Sequence, residues 1–144
     1  MNNIFDSLPD NMVLLDGGMG QELINRKASG QGVLWSAKAL FDFPEAVVAV
    51  HEDYIRAGAD IITTNSYACI RNNFEPEGLA DLLGKMNRLS AELAQRARDN
   101  VGVPVLIAGS MGPQNGSYRP DLVGSYAETE ALYREQAGFL APNV

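Results

Sequence analysis

Three times in this chain a short apolar run stops abruptly in small or polar residues and gives way to a helix-like stretch. Met12-Val13-Leu14-Leu15 runs into Asp16-Gly17-Gly18-Met19-Gly20. Asp60-Ile61-Ile62-Thr63 leads into Thr64-Asn65-Ser66-Tyr67, and Val105-Leu106-Ile107-Ala108 leads into Gly109-Ser110-Met111-Gly112-Pro113. Apolar runs bounded by turn residues read as buried strands. Strands that alternate with helices form crossover units, and those place neighbouring strands in parallel. The chain is therefore expected to be α/β, with its strand exits on one rim, where parallel α/β proteins bind ligands.

Asp16 carries the strongest chemical signal on that rim. It is a carboxylate at a strand end, followed by three glycines within four positions. Glycines allow φ > 0 and let a ligand approach the backbone closely. The same residues also suit a plain turn in which Asp16 caps the next helix, so both readings stand. Two phosphate-binding patterns are excluded. Leu23 stands where the dinucleotide fingerprint needs its third glycine, and no Gly-Lys-Ser/Thr completes a Walker loop.

The helical pattern between the exits is legible. Residues 21–25 read as a short helical turn and 27–32 as a polar loop. Ser36 is placed to cap a helix carrying Ala37, Leu40 and Phe41. Pro44 opens a longer helix at its first turn. Its apolar face carries Val47, Val50 and Tyr54, with Val48, His51 and Ile55 alongside, and Gly58 stops it. Residues 71–74 read as a turn or short helix, and 76–83 as another short helix broken near Gly84. Residues 85–100 read as a longer helix with Met86, Leu89, Leu93 and Ala97 on one face. A last helix is expected over 122–140, with Glu128 and Glu130 in an exposed acidic stretch. Residues 1–10 form a polar lead-in. Met86 reads as core filler, and His51 as a packed or hydrogen-bonded residue rather than a ligand. Trp35 reads either as a core aromatic or as an aromatic pocket wall.

Composition narrows the function. A length of 144 residues suits one domain. Eighteen acidic against eleven basic residues give a net charge of −7. That balance argues against a nucleic-acid surface, and no basic cluster offsets it. No apolar run approaches the ~18 residues of a membrane span, and residues 1–9 lack the pattern of a signal peptide. Cys69 is the single cysteine, which excludes an internal disulfide framework. One cysteine and one histidine fall short of a closed structural zinc site. A cytoplasmic location is the default expectation.

Taken in order, the three exits, with Leu34-Trp35-Ser36 and Phe43-Pro44-Glu45 between the first two, resemble the N-terminal part of the homocysteine S-methyltransferase family. The resemblance covers about residues 12–140. It implies that residues 1–144 are the N-terminal βα units of a (β/α)8 TIM barrel, incomplete in this chain. It implies methyl transfer to the sulfur of homocysteine, giving methionine, from a sulfonium, betaine-like or folate donor. Homocysteine and that methyl donor are the partners it implies. It also implies zinc that activates the thiol through three cysteines on later strands. On this likeness Asp16 would pair with the amino acid's ammonium. N–H groups near Gly17 and Gly18 would receive its carboxylate. Thr64, Asn65 and Ser66 would add polar contacts, and Trp35 would stand on the donor side.

The chain departs from the family in one large respect. The later cysteine motifs are absent, and Cys69 matches none of them. No residue here is therefore assigned as catalytic or as a metal ligand. The expected product is a fragment, inactive alone, that pairs with a complementary barrel fragment or with itself. The alternative is a non-catalytic assembly or binding module built on the same fold. A small phosphate binder fits poorly, since no cation precedes Arg26 and Lys27 after the first glycine loop.

Overall fold

The computed structural model describes residues 12–28, 32 and 34–144. The lead-in 1–10, part of the 27–32 loop and the Trp35 side chain lie outside that description. Two parallel strands, β1 (Ile61–Thr63) and β2 (Leu106–Ala108), pair Ile61 with Leu106, Ile62 with Ile107 and Thr63 with Ala108. Leu15 joins the other edge of β1 through a single parallel bridge to Ile61. The order across the sheet is thus Leu15, β1, β2, as the crossover argument requires. Ile62, in the middle segment, is fully buried.

The helices are α1 (Met19–Asn25), α2 (Trp35–Asp42), α3 (Pro44–Arg56), α4 (Arg71–Phe74), α5 (Leu83–Val101) and α6 (Tyr126–Leu140). Helices α3 and α5 form the most extensive pairing of the fold. α3 buries Val47, Val48, Val50, His51 and Ile55. α5 answers with Leu83, Met86, Leu93 and three alanines, Ala91, Ala94 and Ala97, whose small side chains let the helix axes approach. Pro44 opens α3, where its missing N–H costs nothing. Gly58, at φ 98°, closes it by donating to the Ile55 carbonyl at 3.0 Å.

Several expectations need correction. The first apolar run is not a buried strand. Met12 is 76% and Leu15 59% exposed, because among the described residues the outer edge of this run pairs with nothing. Ser36 does not cap α2: the helix begins one residue earlier, Leu34 is its cap, and Ser36 is buried. The segment 76–83 is a turn followed by a 3-10 turn at Ala80–Leu82, with Gly78 at φ 68°. Gly84 does not break a helix. It lies inside α5, where a Cβ would come within 2.9 Å of the Phe139 ring, so it is the point of contact with α6. The last helix is shorter than expected. A 3-10 turn at Pro120–Leu122 precedes it, and Ser125 starts it.

Candidate functional site at the strand ends

Asp16 is held by the neighbouring strand. The Thr63 N–H donates to Oδ2 at 2.7 Å, and the Thr63 hydroxyl lies 3.1 Å from Oδ1 and 3.2 Å from Oδ2. The Asp16 N–H in turn donates to the Ile61 carbonyl at 3.0 Å. The structure removes one reading of this carboxylate. It is not a helix cap, since Gly18 caps α1 and no side chain contributes. Partial burial pushes the Asp16 carboxyl up from its ordinary range, while the two Thr63 donors pull it back down.

Gly17 and Gly18 follow at once and are exposed. Among the described residues, nothing accepts a hydrogen bond from either N–H. Neither residue has a positive φ, so conformational freedom is not why glycine stands there. At Gly17 the reason is contact: a Cβ would lie 2.7 Å from the Tyr54 hydroxyl and 2.9 Å from its ring. Tyr54, on α3, therefore backs the Asp16 turn.

Thr64, Asn65 and Ser66 sit beside this turn but are buried, with their polar groups engaged within the protein. The Ser66 hydroxyl donates to the Ser110 carbonyl at 2.7 Å. That leaves Thr64 as donor in the 2.7 Å contact between the two hydroxyls, and Thr64 accepts from the Ser110 N–H at 3.0 Å. Asn65 donates to the Ser36 carbonyl at 2.9 Å. These groups lock the second and third strand exits together and tie α2 to them. Trp35 opens α2, but its side chain is outside the described residues.

Sequence reasoning missed the polar side chains beneath the rim. Gln136 of α6 donates to the Ser66 carbonyl at 3.0 Å and accepts from Gln114 at 3.2 Å. Asn87 of α5 donates to the carbonyls of Cys69 and Leu83, each at 3.0 Å. The signal for Asn87 was its register, since it falls between Leu83 and Ser90 on the buried face of α5. Tyr67, half exposed at the same rim, shares a 2.6 Å hydrogen bond with Ser117.

Among the described residues, no three His, Cys, Asp or Glu side chains gather to hold an ion. Cys69 is fully buried, and burial pushes its thiol up to about 12, which favours the protonated form. His51 is likewise fully buried, and neither ring nitrogen has a hydrogen-bond partner.

The pattern of the family described as homocysteine S-methyltransferase matches residues 13–144. The chain belongs to the homocysteine S-methyltransferase family. It is 40% identical to the homocysteine S-methyltransferase of Escherichia coli K12, over 92% of this chain and 48% of that protein. It is 35% identical to the homocysteine S-methyltransferase YbgG of Bacillus subtilis, over 90% of this chain and 44% of that one. Among solved structures it superposes on the metallated form of the E. coli homocysteine methyltransferase MmuM with a TM-score of 0.87 at 35% identity. That match covers 98% of this chain and 54% of the other. The chain spans about half the length of the relatives it matches. Its βα units are thus an incomplete TIM barrel, with the Asp16 turn and the Thr64–Ser66–Ser110 lock at the C-terminal ends of three parallel segments.

Proposed function

We propose that this chain supplies the homocysteine-holding half of a homocysteine S-methyltransferase site. The observation that carries the reading is the Asp16 turn. A partly buried carboxylate stands beside two exposed N–H groups, those of Gly17 and Gly18, which no described residue uses. An amino acid's ammonium and carboxylate need that pair of opposite polarities a few ångströms apart. Asp16 receives the ammonium, and the N–H groups of Gly17 and Gly18 receive the carboxylate. Thr64, Asn65 and Ser66 act as the frame that fixes the rim, and the family likeness assigns Trp35 to the methyl-donor side. Family membership supports the substrate, with methionine as the product.

The thiol must be activated by groups this half does not contain. Homocysteine's sulfur has a thiol pKa near ~8.5 and is mostly protonated at neutral pH. Zinc, expected from the family, would supply the Lewis acid, but no described residues form a site for it. The contribution of this chain is binding and orientation, which places the sulfur relative to the donor. The lone buried Cys69 suits the cytoplasm in which we place the protein.

The test is complementation. The chain should show no methyl transfer alone. Co-refolded with the C-terminal half of the E. coli relative and zinc, it should produce methionine, and Asp16→Ala should abolish that gain. Methyl transfer by the chain alone, free of metal, would overturn the reading. A second reading is favoured by the exposed apolar edge at residues 12–15. A non-catalytic assembly module would form a defined complex through that edge and show no affinity for amino acids.

A further inference from the structure

We propose that Thr63 is the positioning residue of the Asp16 site: its N–H and its hydroxyl both donate to the Asp16 carboxylate and aim the remaining lone pairs at a cationic group. The inference rests on the reading of Asp16 as the ammonium acceptor and adds a residue that the rim pattern of Thr64, Asn65 and Ser66 passes over.

The geometry separates Thr63 from its neighbours. Thr64 and Ser66 spend their hydroxyls on each other and on Ser110. Thr63, the last residue of β1, turns its hydroxyl to the adjacent strand end, within 3.2 Å of both Asp16 oxygens. Its N–H at 2.7 Å fixes Oδ2. With the N–H committed to Oδ2, Oδ1 meets, among the described residues, the shared hydroxyl proton and keeps acceptor capacity for an incoming N–H. Two donors on one carboxylate also favour its ionised form, against the pull of burial toward the neutral one. A neutral Asp16 would neither attract an ammonium nor accept from it with both oxygens. Other ionisable groups stand around the turn. Asp60 accepts from the Leu14 N–H at 2.9 Å. Tyr54 of α3 faces Gly17 and feels the charges of Asp16, Glu22 and Arg26. None of these donates to the Asp16 carboxylate, so the assignment to Thr63 is specific.

The test is a carboxyl titration of the full chain by carbon-detected NMR, with the Asp16 resonance identified by its loss in Asp16→Asn. Thr63→Val keeps the N–H and the branched shape but removes the hydroxyl. It should move the Asp16 midpoint upward, while Thr63→Ser should hold it at the wild-type position. If Thr63→Val does not fold, Thr63→Ala against Thr63→Ser makes the same comparison. Where homocysteine binds, the acid limb of its affinity should move with the Asp16 midpoint. An unchanged midpoint in folded Thr63→Val, or Thr63→Ser behaving like Thr63→Val, would overturn the proposal. A shifted midpoint with no homocysteine binding to the wild-type chain would leave Thr63 holding Asp16 and would sink the amino-acid reading instead.

Discussion

At the level of single residues, the buried polar groups among the described residues separate into those that are satisfied and one, His51, that is not. Asn87, Gln114 and Gln136 each have partners, whereas His51 has none at either ring nitrogen. Burial accordingly lowers its pKa from 6.5 to about 4. A histidine with a depressed pKa carries no protonation penalty while it is neutral in both states, above pH 6.5. Stability falls as the pH drops from 6.5 through 4, because the unfolded chain takes up the proton first. The loss should reach about 3 kcal/mol at the acid end. Urea unfolding at a series of pH values between 7 and 4 should show it, and His51→Leu should flatten that part of the profile. The sequence stripe through Val47, Val50 and Tyr54 placed His51 at its edge and marked it as packed, which it is. The missing hydrogen bonds were not legible there, because they depend on which side chains α5 and α2 bring across. Gly17 shows the same limit. Its glycine was visible, but the reason for it, the ring of Tyr54, is a contact between residues far apart in sequence.

Among the elements, helices were read better than strands. Pro44, Gly58 and the 3.6-residue stripe mark α3 and α5 through local rules that need no partner. The second and third strands were located correctly, but the first run is not a strand. β1 and β2 are three residues each, and the first run is one bridge, because strand length is set by the neighbour across the ladder. The start of α6 was missed for a different reason. Ser125 and Glu128 form a capping box, in which the Ser125 hydroxyl accepts from the Glu128 N–H at 3.3 Å and the Glu128 carboxylate accepts from the Ser125 N–H at 3.0 Å. Glu128 read from sequence as part of an exposed acidic stretch, when its spacing of three from Ser125 was the real signal. Ser125→Ala should therefore cost about 1 kcal/mol in urea unfolding. Amide exchange should rise in the first turn of α6 and stay unchanged around Gln136, whose bonds to Gln114 and Ser66 anchor the other end.

For the whole molecule, the rim and the edges tell different stories. The rim is finished: buried hydrogen bonds join Ser36, Thr64, Asn65, Ser66 and Ser110 without help from any other chain. The edges are open. Residues 12–15 are exposed on one side. On the other, an apolar groove of about 390 Å3 lies between Met111 and the Tyr126, Tyr133 and Ala137 face of α6. If Asp16 receives the ammonium, this half should bind homocysteine, and calorimetry of the purified chain with homocysteine reads that binding. It should be weak, the same with and without zinc, and lost in Asp16→Ala. Tight binding that requires zinc, or binding that survives Asp16→Ala, would contradict this reading.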